Sequence, residues 1–242
     1  MNRGPTAVLV IRARICEPRC AVPALCYARS QATVHMKLFY QTHSPYARKV
    51  LVMAHEVGLA HRLDVLHEET SPMVRNNAVF AYNPLGKVPV LITDDGDCLF
   101  DSTVIVEFLD TLHEGPKMIP SRGPARWHAL RLQALAQGIA DAGIALRWEI
   151  ARRPEALRWT ELADGYRDKL VTSYDFIERE GALDGPLDIG QIALATGLSW
   201  IAFRELPSFG EHHPRIARWY DEFCRRPSMR ATPLSGETHD TR

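Results

Sequence analysis

Met36–Val57 reads MKLFYQTHSPYARKVLVMAHEV. Lys37–Tyr40 alternate polar and apolar and then run apolar, as a buried first strand does. Ser44 stands where an N-cap belongs, with Pro45 at the first helical position, where proline loses no needed donor. Ala47, Val50, Leu51 and Ala54 then repeat at helical spacing and give the helix one apolar face. A hydroxyl is thereby held at the carboxyl end of a strand and beside the positive end of a helix. That place suits an anion, and a thiolate in particular. A Ser-Pro pair is also an ordinary cap without chemistry, so a second stretch has to decide.

Downstream, Gly58 stops the helix. His61–His67 alternate around Leu63, Val65 and Leu66 and read as a second strand, which implies a parallel pair with a right-handed crossover. A polar loop, 68–77, follows. Asn83–Ser102 reads NPLGKVPVLITDDGDCLFDS. Val88–Ile92 is a strand with Pro89 near its start, and such a proline belongs at an edge, a strand start or a cis bend. Asp94-Asp95-Gly96 supplies hairpin chemistry, and Asp97–Phe100 returns as an antiparallel strand. A helix over Thr103–Leu112 follows, with Ser102 as its expected N-cap and Asp101 beside it. Asp101-Ser102 taken alone is more often a simple cap than a ligand site.

SPYARKV, NPLGKVPVL and an Asp-Ser pair opening a helix, in this order, resemble the glutathione S-transferase superfamily. The closest similarity is to bacterial soluble members that use serine where others use tyrosine or cysteine. The resemblance covers about 36–231. It implies a thioredoxin-like α/β N-terminal domain that binds glutathione and an all-α C-terminal domain. It implies that Val88-Pro89 is cis and that Val88 pairs through its backbone with the cysteinyl part of glutathione. Asp101 and Ser102 would hold the γ-glutamyl end, Lys87 would reach the glycyl carboxylate, and Ser44 would donate to the sulfur. Asp101 stands where the family usually carries Glu, which keeps the charge and shortens the reach by one methylene. His43 is a second polar group near the sulfur, otherwise a solvated loop histidine. Tyr40 is the runner-up thiolate donor, ranked below Ser44 because it lies inside the strand.

The chain has 242 residues with Lys plus Arg and Asp plus Glu at 29 each. There is thus no global field to draw in nucleic acid or an anionic membrane. No apolar run approaches the roughly 18 residues that a membrane span needs. Residues 1–35 hold five Arg and one acid, leaving 24 basic and 28 acidic residues for 36–242. The preferred reading of 1–35 is a disordered extension, or a start assigned too early with Met36 as the working start. A mitochondrial-type presequence is the other reading. Cys16, Cys20 and Cys26 match no familiar zinc spacing. The body holds Cys98 and Cys224, too few for a disulfide framework, which points to a reducing cytosol. Neither cysteine occupies the active turn.

A Gly/Pro-rich linker, 114–124, separates 36–113 from a helical half, 125–231. Ala125–Arg152 reads as one long helix and about 155–180 as a second. Asp188 and Gln191 form a capping-box pattern with Leu187 and Ile192 at the staple positions. A last helix covers about 214–226, and 232–242 reads as a flexible tail. Trp127, Arg131, Gln137, Asp141 and Trp148 are candidates to line a second-substrate site, each also readable as core or solvated surface.

The implied function is a cytoplasmic, homodimeric, detoxifying glutathione transferase. Its co-substrates would be glutathione and a small electrophile, with no metal or redox cofactor, no nucleic acid and no membrane. Peroxide reduction, dehalogenation or isomerisation with glutathione is one alternative, and a non-catalytic binding protein on the same fold is the other. Retention of Ser44, Asp101 and Ser102 argues against the latter.

Overall fold

A computed structural model describes residues 35–180 and 183–238. The expectations for residues 1–34 and 239–242 lie outside the described residues.

The chain opens with β1 (Met36–Tyr40), α1 (Pro45–Glu56) and β2 (Leu63–His67), followed by a short α2 (Asn77–Phe80). Next come β3 (Val90–Ile92), β4 (Cys98–Leu99) and α3 (Ser102–Thr111). The sheet order is β2-β1-β3-β4. β1 runs parallel to β2, pairing Leu38 with Val65, and antiparallel to β3, pairing Phe39 with Val90. β4 is antiparallel to β3. This is the mixed thioredoxin-like sheet that the sequence implied.

Alternation along the strands divides the core. Met36, Leu38 and Leu91 join Val50, Met53, Ile105 and Leu109 of α1 and α3 in one large cluster. Phe39, Val79, Val88 and Val90 form a smaller cluster with α2 on the other face. Successive strand residues face opposite ways, so Leu38 and Phe39 feed different layers.

The second half is helical: α4 (Gly123–Arg147), α5 (Thr160–Glu180), α6 (Ile189–Phe203), α7 (Pro214–Phe223) and α8 (Pro227–Ala231). Two expected helices differ at their ends. Instead of continuing to Arg152, α4 loosens at Arg147 into a π-type turn over Trp148–Arg152. α5 starts at Thr160, later than expected. The cause is Glu149, whose buried carboxylate accepts from the Trp159 amide at 2.6 Å and from Arg153 Nε at 2.8 Å. That contact bends the chain through Pro154 and a short 3-10 turn, Glu155–Leu157, before α5 begins.

α6 is buried almost throughout and touches both α4 and α1, so it wedges the two halves together. Its N-cap is Asp188, which accepts from the Gln191 amide at 3.0 Å. The capping box is only half made, because the Gln191 side chain donates instead to the carbonyls of Leu183 and Pro186. Close approach of α6 to α4 depends on Gly190. A Cβ there would lie 2.7 Å from the Ala129 carbonyl oxygen and 2.8 Å from Leu132 Cβ. Gly190→Ala is therefore expected to destabilise the fold by about 2 kcal/mol, despite the better helix propensity of alanine. Urea unfolding checks this, and an unchanged midpoint would show that the helices separate without cost.

Residues 232–238, expected to be a loose tail, return to the body. The Ser235 amide donates to the Thr42 carbonyl at 3.2 Å, and Thr42 Oγ1 donates to the Ser235 carbonyl at 2.8 Å. Glu237 forms ion pairs with Arg147 and Arg204.

Candidate active site

The carboxyl end of β1 turns through Gln41–His43 into α1, and Ser44 caps that helix. Ser44 Oγ accepts from the Ala47 amide at 3.1 Å. Acting as acceptor there leaves its own proton to be donated. No acidic side chain stands in the first turn of α1, so the positive end of the helix is not neutralised locally.

Opposite Ser44 lies the Asn83–Val88 turn. Asn83 is almost fully buried. Its amide nitrogen donates to the Lys87 carbonyl at 2.8 Å, and its oxygen accepts from the Leu85 amide at 3.0 Å. Gly86 has φ of +62°, and a Cβ there would fall 2.2 Å from the Phe80 ring. Asn83 and Gly86 thus shape the turn that presents Lys87 and Val88. The Val88-Pro89 bond is cis, as the resemblance implied.

Ser44, Lys87 and Val88 line one cleft of about 790 Å³. Its far wall comes from the helical half: Asp141, Ile144, Trp148 and Trp200, with Arg147 and Arg204. The volume falls within the usual range for a small-molecule site.

At the start of α3 the structure corrects one expectation. Asp101, not Ser102, is the N-cap, accepting from the Thr103 amide at 2.9 Å. Ser102 is the first helical residue. Its Oγ is buried and has no partner within the protein. Gln137 of α4 donates to Asp101 at 3.3 Å and accepts from Lys49 Nζ at 3.3 Å. Burial pushes the Asp101 carboxyl up, but the Thr103 and Gln137 hydrogen bonds and the Lys49 charge hold it below its usual value. Burial in turn brings the Lys49 ammonium down to about 8, against the pull of Asp101 and Asp141.

The expected second-substrate residues divide. Asp141 and Trp148 reach the cleft, and Asp141 accepts from the Tyr46 hydroxyl. Burial and Asp141 both raise the Tyr46 pKa, which keeps this phenol protonated. Gln137 serves Asp101 instead. Arg131 lies over the Phe176 ring, and Trp127 is exposed on the surface. Tyr40 meets the His67 ring edge-on and lines a second cavity, which shares Ser44 and Gln41 with the cleft but not Lys87 or Val88.

His43, read as a solvated loop residue, is buried. Its Nε2 bonds to Thr238 Oγ1 at 3.1 Å, and its Nδ1 has no partner. Trp200 Nε1 donates to the His43 carbonyl at 2.9 Å and ties the turn to α6. Burial, with the Arg204 charge behind it, lowers the His43 pKa to about 4. Between its unfolded value of about 6.5 and this one, only the unfolded chain takes up the proton. Stability should therefore fall as the pH drops through that window, by roughly 2 kcal/mol once screening by the open cleft is allowed for. Comparing urea midpoints at pH 7 and pH 4.5 for wild type and His43→Gln tests this. The variant should lose that part of the slope.

Sequence reasoning missed Arg204 and the returning tail. Arg204 closes α6, 160 residues beyond Ser44, and no local pattern marks it as a neighbour.

The glutathione S-transferase N-terminal domain family matches residues 43–112. The Uncharacterized GST-like protein YibF of Escherichia coli (strain K12) is 32% identical over 203 residues, covering 81% of this chain and 98% of that protein. The chain belongs to the glutathione S-transferase family. Solved structures of the family share the fold. A member from Pseudomonas fluorescens Pf-5 with bound glutathione has a TM-score of 0.80 and 40% identity, covering 83% of this chain and 100% of that one. A second structure from that organism, with bound S-(propanoic acid)-glutathione, has a TM-score of 0.75 and 39% identity over the same shares. Among the described residues of this family member, no three or more His, Cys, Asp or Glu side chains gather where they could hold a metal ion, and no helix is long and apolar enough to cross a membrane.

Proposed function

We propose that this chain is a glutathione transferase in which Ser44 stabilises the glutathione thiolate for attack on a small electrophile. The observation that carries the reading is the Ser44 hydroxyl. It caps α1 at the floor of a cleft that also holds the cis Val88-Pro89 turn. The thiolate is the nucleophile, and a hydroxyl donor together with a helix N-terminus favours it over the thiol.

In this reading the backbone of Val88 pairs with the cysteinyl unit and Lys87 meets the glycyl carboxylate. Asp101, ionised at neutral pH, takes the γ-glutamyl ammonium, and the partnerless Ser102 Oγ takes the neighbouring carboxylate. Gln137, itself held by Lys49, donates to Asp101 and helps to keep that carboxylate in place. The bound glutathione in the Pseudomonas relatives supports these assignments by analogy. The reading extends to a cytoplasmic homodimer acting in detoxification, and sedimentation mass checks the assembly.

The deciding experiment follows thiolate absorbance of bound glutathione against pH. The thiol pKa should drop from about 8.5 to about 6.5 on binding. Glutathione that binds with an unshifted thiol would instead mark a binding module without thiol chemistry.

A further inference from the structure

Arg147, in the last turn of α4, and Arg204, at the end of α6, converge on the helical wall of the cleft. Both donate to one carboxylate, Glu237 of the returning tail, each at 2.6 Å, one to each oxygen. The Arg204 side chain is 3% exposed, whereas the Glu237 side chain is 63% exposed. The arginines are thus built into the wall, and the acid that satisfies them is a visitor from a surface segment. Arg204 Nε keeps no partner. Arg152 adds a third guanidinium beside them, donating to the Thr238 carbonyl at 2.9 Å. The apolar surface next to this cluster is Ile144, Ala145, Trp148 and Trp200.

We propose that Arg147 and Arg204 form a carboxylate subsite for the second substrate, and that Glu237 occupies it until a carboxylate-bearing electrophile displaces the tail. The inference rests on the glutathione-conjugation reading and deepens it by naming the class of electrophile: an apolar, flat body carrying a carboxylate. Two guanidinium groups side by side in a partly desolvated wall repel one another, and an anion between them relieves this. Burial and the Arg147 charge both lower the Arg204 pKa, and the Glu237 carboxylate pulls it back up, as an anion between two guanidinium groups does. Glu237 fills the role of the anion with the same chemistry that a substrate carboxylate would bring. Exchange of one carboxylate for the other keeps the charge balance, so displacement costs the tail its ion pairs and leaves the arginines satisfied. A neutral electrophile of the same shape can offer no such exchange.

The test compares 4-chloro-3-nitrobenzoate with 4-chloro-3-nitrobenzamide. In both, the thiolate sulfur attacks the ring carbon bearing chlorine, the C–S bond forms, chloride leaves and the thiol proton passes to solvent. Binding is read separately, by quenching of tryptophan fluorescence with the unreactive 3-nitrobenzoate and 3-nitrobenzamide. Wild type should prefer the carboxylate probe. Arg147→Gln and Arg204→Met should each lower that preference about tenfold, the usual worth of a charge-assisted pair. Glu237→Gln, a change on the exposed tail that leaves the wall intact, should raise carboxylate affinity several-fold and leave the carboxamide behind. The subsite is overturned if Glu237→Gln and Arg147→Gln move the two probes alike, as a purely structural clasp would. A carboxylate preference without conjugation of either chloride would keep the subsite and remove the conjugation reading. Conjugation of both chlorides with no preference would do the reverse.

Discussion

Ser44→Ala is expected to lower kcat for glutathione conjugation about 30-fold at pH 7, with a smaller loss above pH 9. If binding holds the thiol pKa near about 6.5, most of the bound glutathione is thiolate at neutral pH. At an unperturbed value of about 8.5 only about 3% is, so loss of the shift alone removes about 25-fold in nucleophile concentration. A more basic thiolate attacks faster, which offsets part of this. Loss of the donor that fixes the sulfur in line with its target restores the difference. At high pH the thiolate forms unaided, and only the positioning loss remains. Affinity for glutathione should fall only about fourfold at pH 7, the share that the lowered thiol pKa contributes by linkage, because the Lys87-Val88 turn and the start of α3 are untouched. The substitution also removes the α1 cap, worth about 1 kcal/mol, so a stability measurement belongs beside the kinetics. A bound-thiol pKa that Ser44→Ala leaves in place would take Ser44 out of the chemistry.

Asp110→Ala is expected to destabilise the protein by about 4 kcal/mol, a large share of the roughly 5–15 kcal/mol that a domain has. Asp110 is buried near the end of α3. Its carboxylate accepts from the Met118 amide at 2.8 Å, the Ile119 amide at 3.0 Å and His113 Nε2 at 3.1 Å. Met118 in turn accepts from the Ile189 amide at 2.9 Å, so the same knot seats the start of α6. Alanine would strand two buried backbone donors, each costing about 1–3 kcal/mol. At a denaturant slope of about 2 kcal/mol/M the urea midpoint should fall by about 2 M. Asp110→Asn keeps one acceptor oxygen and should lose roughly half as much. Equal losses for both variants would mean that packing, not the two amides, sets the cost.

The two predictions draw on residues of different legibility. Ser44 could be read because helix capping is local: a serine before proline at the start of an apolar periodicity has one good conformation. Asp110 offered only a faint sign, an acid in the last turn of a helix, where the macrodipole disfavours it. Nothing nearby in sequence names the amides eight and nine residues on as its partners. The exchange of roles between Asp101 and Ser102 has a similar origin. Either residue can cap, and Asp101 is the one that also accepts from Gln137 of α4, with the Lys49 charge of α1 nearby.

The sequence by itself determined the strand and helix order of the first half, the proline bend at Val88-Pro89, the helical second half and the family. The element order rests on contacts within a few residues and on hydrophobic periodicity, whereas the cis bend and the family rest on the resemblance of SPYARKV, NPLGKVPVL and the Asp-Ser pair to the glutathione S-transferases. Tertiary structure alone decided what surrounds Ser44. It buried His43 beneath Trp200 and Thr238, gave Gln137 to Asp101 rather than to the cleft, and brought Arg147 and Arg204 together on one wall. It also laid Glu237 across those arginines, where the sequence read only a tail. Such neighbours are fixed by the packing of α4 and α6 through Gly190 and by the return of the chain after α8. Ion pairs between residues far apart in sequence leave no period to read, because charge pairing needs only proximity, and proximity is what the fold supplies.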